Sequence, residues 1–89
     1  MHVEHQTDSH RFTTRVDGTM AEVDYRISDG VLEITHTGVP EAIGGRGIGG
    51  DLVRAAFEFA RSEGLKVRPL CSYAEAWSRR HAEYADLLA

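Results

Sequence analysis

Apolar and polar residues alternate through the first half of the chain and then change period. From His10 to Asp17, Phe12, Thr14 and Val16 fall on one side and Arg11, Thr13 and Arg15 on the other, the period-two pattern of a half-buried strand. A second alternating run sets Ala21, Val23, Tyr25 and Ile27 against Glu22, Asp24 and Arg26. A third runs from Val31 to about Val39, with Leu32, Ile34 and His36 on one face. Asp17-Gly18 and Asp29-Gly30 separate the three runs. Asp-Gly between alternating segments predicts tight hairpins, because a type I′ turn needs positive φ at both central residues. The first half is therefore expected to be an antiparallel three-stranded meander. Pro40 ends it, having no amide hydrogen to give to a ladder.

Beyond the loop Glu41 to Arg46 the period lengthens to that of a helix. Ile48, Leu52, Ala55, Ala56 and Phe59 form one apolar stripe, widened by Val53, Phe57 and Ala60. Asp51, Arg54, Glu58 and Arg61 lie opposite. The pattern predicts a helix from Ile48 to Glu63, capped by Gly64 and packed on the sheet and on one further element. Lys66 to Cys71 reads as a short strand, and Pro69 within it predicts a bulge or an unpaired edge. Strand, helix, strand implies a right-handed crossover with the third and fourth strands parallel. A short helix from Ala74 to His81 follows, with Ala74, Trp77 and His81 on one face, and a tail from Glu83 to Ala89 that docks on the body. Residues 1–9 show no periodicity and are expected to be a flexible arm, His2 and His5 included. Residues 10–89 are expected to form one α/β domain on a mixed sheet.

Composition narrows the function classes. A chain of 89 residues makes one small domain, and a net charge of -4 argues against nucleic acid as the partner. A single cysteine, Cys71, forbids an internal disulfide and fits a reducing compartment. No apolar run approaches a membrane span, and the start lacks the apolar core of a secretion signal. The expectation is a cytoplasmic protein, monomeric or a weak homodimer, with no membrane partner and no metal site.

The chemistry concentrates at Gly44-Gly45-Arg46-Gly47-Ile48-Gly49-Gly50, which opens the long helix. Glycines there gather backbone amides with no side chains in the way, at the positive end of a helix dipole, and so predict a phosphate or pyrophosphate cradle. Gly45, Gly47 and Gly50 match the dinucleotide fingerprint G-x-G-x-x-G, but three antiparallel strands precede them where that motif follows the first parallel strand. A nucleotidase-type phosphate loop needs Lys and then Ser or Thr after its last glycine, and here Asp51 and Leu52 follow.

Arg46-Gly47-Ile48-Gly49 resembles the acyl-CoA pyrophosphate loop of the GNAT superfamily of N-acetyltransferases, [Q/R]-x-x-G-x-[G/A], with Gly47 and Gly49 on its small positions and Gly44 in place of the leading Gln or Arg. The flanking order agrees. His36-Thr37-Gly38-Val39-Pro40 precedes the loop, Val67-Arg68-Pro69-Leu70-Cys71 follows the helix, and Arg79-Arg80-His81 and Glu83-Tyr84-Ala85-Asp86-Leu87 close the chain. Together these resemble the small single-domain GNAT-like group, from about Arg11 to Leu88. The resemblance implies acetyl-CoA as co-substrate, its pyrophosphate on Gly44 to Gly50 and its pantetheine along the free edge of the third strand near Thr37 to Val39. It places the thioester beside Cys71. It also implies an open acceptor side, suited to an exposed amine or a basic peptide.

The candidate site residues keep two readings each. Cys71 is a nucleophile or acid at the thioester, or a small buried hydrophobe. His36 is a general base, or a hydrogen-bonded core histidine. Tyr73 contacts the cofactor and protonates the departing thiolate, or anchors the core. Arg79 and Arg80 meet the 3′-phosphate of CoA or form a solvated face. The expected function is transfer of acetyl from acetyl-CoA to an amine. The alternative is a CoA-binding or protein-interaction module without turnover, which the lack of an obvious Asp or Glu at the active end of the third strand favours.

Overall fold

The computed structural model describes every residue, Met1–Ala89. Five strands form one sheet in sequence order: β1 Glu4–Gln6, β2 Arg11–Val16, β3 Thr19–Ser28, β4 Val31–Gly38 and β5 Lys66–Pro69. Neighbours from β1 to β4 are antiparallel, and β5 lies parallel to β4. The helix α1, Ile48–Glu63, makes the crossover, and α2, Ser72–Arg80, follows β5. No helix is long and apolar enough to cross a membrane.

Both Asp-Gly pairs make the expected turns, with φ of 50° and 75° at Asp17 and Gly18 and 53° and 76° at Asp29 and Gly30. Helix α1 has the bounds that its period implies, and Gly64 closes it with φ of 71°. Its broad apolar arc is divided between two neighbours. Leu52, Val53, Ala56 and Ala60 are buried in the core with Leu32, Ile34 and Val67 of the sheet. Phe57 turns toward α2 and the C-terminal turn, its ring 5.4 Å from both Trp77 and Tyr84. The tail docks as expected. Tyr84 is buried, its hydroxyl donates to Glu58 and accepts from Arg54, and the Ala89 amide donates to Val67 at the β5 edge.

Two expectations need correction. The first concerns the N-terminus. Glu4–Gln6 is not a free arm but the edge strand of the sheet, paired through His5 to Phe12. Three residues are too few to show a period, and the contact that holds them is lateral. The His5 ring stacks on Phe12 at 4.1 Å, meets Phe59 edge-on at 4.5 Å, and pairs through Nε2 with the Tyr25 hydroxyl at 2.6 Å. Burial there pushes the His5 imidazole below its ordinary pKa and favours the neutral ring that stacks.

The second correction concerns β4. Its register against β3 slips by one residue, with Tyr25 opposite Ile34 but Asp24 opposite His36, so that Thr35 is the extra residue of a β-bulge. A bulge moves every later residue of its strand to the opposite face. Leu32 and Ile34 point to the core and are fully buried, whereas His36 is exposed on the outer face with Asp24. His36 therefore does not share a face with Leu32 and Ile34. Thr37 takes the inward position instead, opposite Val23.

Both helices and the C-terminal turn lie on one side of the sheet. The other side carries paired charges: Arg26 and Arg68 both bond Glu33, and Arg11 lies 3.4 Å from both Glu22 and Asp24.

Candidate active site

Helix α1 begins at a loop that the protein itself does not satisfy. Gly45 and Gly47 both have φ of 76°, the left-handed region that favours glycine, and Gly47 is the N-cap residue. The first intrahelical bond runs from the Asp51 amide to the Gly47 carbonyl at 3.1 Å. None of the six amides from Gly45 to Gly50 has an acceptor within the chain, neither backbone nor side chain. A run of unpaired donors at a helix N-terminus is complementary to a group with several anionic oxygens.

The glycines of this stretch divide into two kinds. A β-carbon on Gly45 or Gly47 would meet nothing within 4 Å, so these positions are required for backbone angles and for open approach. A β-carbon on Gly49 would stand 2.8 Å from the Tyr73 ring and hydroxyl, and one on Gly50 3.0 Å from Trp77 Nε1. These two let α2 lie against the first turn of α1. Gly44 belongs to neither kind, with φ of -69° and its nearest neighbour, the Glu41 carbonyl oxygen, 3.4 Å from where a β-carbon would be. Ile48 is buried under the loop. Arg46 reaches away from it and bonds Asp17 in the first hairpin turn at 2.7 Å. Between the loop and α2 lies an open hollow of about 280 Å³, lined among others by Gly47, Gly50, Arg54, Tyr73 and Arg80.

The sheet opens next to this loop. Pairing of β4 with β5 ends at Ile34 opposite Pro69, and the amides of Leu70 and Cys71 both donate to the Ile34 carbonyl, at 2.9 and 3.3 Å. Past that point β4 continues to Gly38 with no partner strand on this side, as the proline within β5 leads one to expect. Cys71, partly buried, is the N-cap residue of α2, with its Sγ 3.4 Å from the Thr37 hydroxyl. Thr37 and Cys71 thus face each other across the opening, and Val39 packs against the core beside them. Tyr73 stands half exposed over Gly49.

His36 and Cys71, the two candidate catalytic residues, do not share a face of the sheet. Thr37, the next residue to His36, points inward to the thiol, while His36 points outward. The bulge that causes this leaves no mark in the sequence period. Strand register instead sets two carboxylates that sequence reasoning passed over near His36. Asp24 is its cross-strand partner, and Glu22 lies opposite Gly38. The Asp24 carboxyl, able to share a proton with Glu22, holds Glu22 above the ordinary carboxylate range; burial and the charge of Asp24 add to this, and Arg11 and His36 oppose it. Arg11 Nε and Asp24 Oδ1 are close but misaligned, and neither has a hydrogen-bond partner. The signal for this group was the Glu-x-Asp alternation in the second run, which register alone brings to the end of β4.

Comparison with known proteins agrees with this architecture. The family model for GCN5-related N-acetyl-transferase matches residues 11–87. Proteins named NATD1 from Gallus gallus and Homo sapiens are 33% identical over 82 residues, 89% of this chain and 74% and 73% of theirs. The solution structure of a GCN5-like protein from Staphylococcus aureus superposes with a TM-score of 0.79 at 31% identity, over 99% of this chain and 87% of that one. The chain belongs to the GCN5-related N-acetyltransferase family, with its α/β fold on a mixed sheet.

Proposed function

We propose that the protein is an acyl-CoA-dependent N-acetyltransferase that moves acetyl from acetyl-CoA to an amine on an exposed molecule, a small amine or a basic peptide. The run of unpaired amides from Gly45 to Gly50, opening beside the gap between β4 and Leu70–Cys71, carries this reading. Those amides hold the pyrophosphate, with Gly45 and Gly47 keeping the approach clear. Thr37 to Val39 offer a free strand edge to the pantetheine, and Cys71 and Tyr73 border the gap where the acyl group arrives. Bound acetyl-CoA supplies a thioester carbonyl activated for attack by nitrogen. The proposed enzyme is cytoplasmic and acts as a monomer or weak homodimer; its one cysteine, Cys71, is a free thiol, which suits a reducing compartment.

One observation favours a CoA-binding module without turnover, namely that His36 and Cys71 lie on opposite faces of β4. Incubation with acetyl-CoA and a panel of amines, polyamines and lysine peptides separates the two readings. Release of free CoA that depends on the amine is expected; acetyl-CoA binding by calorimetry with no release under any condition would leave the module.

Gly44 stands at the position that is Gln or Arg in the loop pattern it resembles, and its backbone angles admit any side chain. Gly44→Arg is expected to tighten CoA binding by about 0.5–1.5 kcal/mol through a charge-assisted bond to a phosphate oxygen. Calorimetry reads this directly, and a large loss of affinity would show that the loop is aligned wrongly.

A further inference from the structure

We propose that Glu22 is a positioning residue for His36, and that the amine is deprotonated on the helix-free face of the sheet. The inference rests on the acyl-transfer reading above. The geometry comes from three strands. The bulge at Thr35 turns His36 outward, directly opposite Asp24. Bulges of this kind re-aim side chains next to functional sites. Two residues on, Gly38 pairs with Glu22. A β-carbon on Gly38 would stand 3.0 Å from His36 Nε2 and 3.6 Å from Glu22 Cγ, so the imidazole and the Glu22 side chain both lie over this one glycine. Arg11, reaching from β2, lies 3.4 Å from both carboxylates and fixes their place.

The arrangement does little for stability. Glu22 and Asp24 repel one another, one Asp24 oxygen and the Arg11 Nε go unbonded, and the Glu22 carboxyl is held above its ordinary range. A raised carboxyl pKa in the folded state means that the folded protein binds the proton more tightly than the unfolded chain. Stability then falls as pH rises through that range, and ionised Glu22 opposes folding at neutral pH. Groups kept against stability at the end of a reacting strand are a signature of function.

The chemistry balances without a further reagent. The acceptor ammonium gives one proton to the imidazole of His36, and Glu22 stands on the same side of Gly38 to balance the charge. The freed nitrogen lone pair adds to the thioester carbonyl, the carbon–sulfur bond breaks with its electron pair on sulfur, the Cys71 thiol protonates the departing thiolate, and the second proton lost by nitrogen restores the Cys71 thiol. Glu22 touches neither reactant. It keeps the ring turned over Gly38, with the charge that a protonated ring needs beside it.

Glu22→Gln tests this, with Glu22→Asp as the conservative variant and Gly38→Ala as one that displaces the ring and leaves every charge in place. Glu22→Gln is expected to keep wild-type acetyl-CoA affinity and to melt at the same temperature or a few degrees higher, on the order of 1–3 °C. In its NMR spectra the contacts between the His36 ring and the Gly38 α-protons are expected to be lost. With acetyl-CoA and a lysine peptide, CoA release should fall about tenfold or more in Glu22→Gln and Gly38→Ala. Partial rescue is expected in Glu22→Asp. Unchanged ring contacts in Glu22→Gln would overturn the proposal, as would wild-type CoA release in that variant, and so would a large drop in melting temperature, which marks a structural residue. If the wild type shows no release, the transferase reading fails by itself, and the ring contacts still decide whether Glu22 positions His36.

Discussion

Gly47→Val is expected to weaken acetyl-CoA binding by about 100-fold or more, a loss of roughly 2.7 kcal/mol, while the fold survives. Gly47 has φ of 76° at the N-cap of α1, and no atom lies within 4 Å of where its side chain would begin. The space that valine would fill is therefore the space through which an anion reaches the six free amides. A β-branched residue also resists the left-handed angles, at a cost of about 1–2 kcal/mol, so the loop that does form will hold its amides less well aligned. Calorimetry with acetyl-CoA measures the loss, and amide shifts for Gly45 to Gly50 on titration show whether binding is at this loop. Gly49→Val makes a poorer probe, because its side chain would run into Tyr73 and disturb the packing of α2. Wild-type affinity in Gly47→Val would remove the loop from the cofactor site.

Cys71→Ala is expected to lower acetyl transfer by about 100-fold or more with binding retained, and to abolish any acetyl adduct seen by intact mass after incubation with acetyl-CoA. The thiol stands at the gap where β4 and β5 part, at the N-cap of α2, within 3.4 Å of the Thr37 hydroxyl. It is only partly buried, so the small volume lost to alanine costs about 1 kcal/mol of stability, too little to account for a large fall in rate. Cys71→Ser keeps a hydroxyl for Thr37 and separates packing from reactivity. If both variants transfer acetyl at the wild-type rate, Cys71 is packing alone, and the amine attacks the bound thioester with no help from it.

The parts of the molecule that could be read in the sequence are those fixed by local chemistry. Asp17-Gly18 and Asp29-Gly30 need positive φ and received it, and the apolar period of α1 and its terminal Gly64 marked both ends of the helix. Pro69 announced the parting of β4 from β5. The features that stayed hidden depend on pairing between strands. β1 is held by His5 lying across Phe12 and Phe59, which no run of three residues can signal. The bulge at Thr35 comes from a one-residue slip against β3, and a strict period of two assigns everything after it to the wrong face. His36 was misplaced for that reason. For the same reason Glu22 and Asp24 went unnoticed: they lie far from His36 in the chain and reach it only through register.

The first turn of α1 serves two masters within a few residues. Gly45 and Gly47 shape the loop of unpaired amides, while Gly49 and Gly50 form the seat on which Tyr73 and Trp77 rest. Helix α2 starts directly after Cys71, so the thiol and the unpaired amides are mounted on one piece of packed backbone. The protein is only 19 Å across its shortest axis, with helices on one side alone. Alignment between the two ends of the site thus comes from direct contact between the first turn of α1 and α2. Any displacement of that turn carries both ends with it.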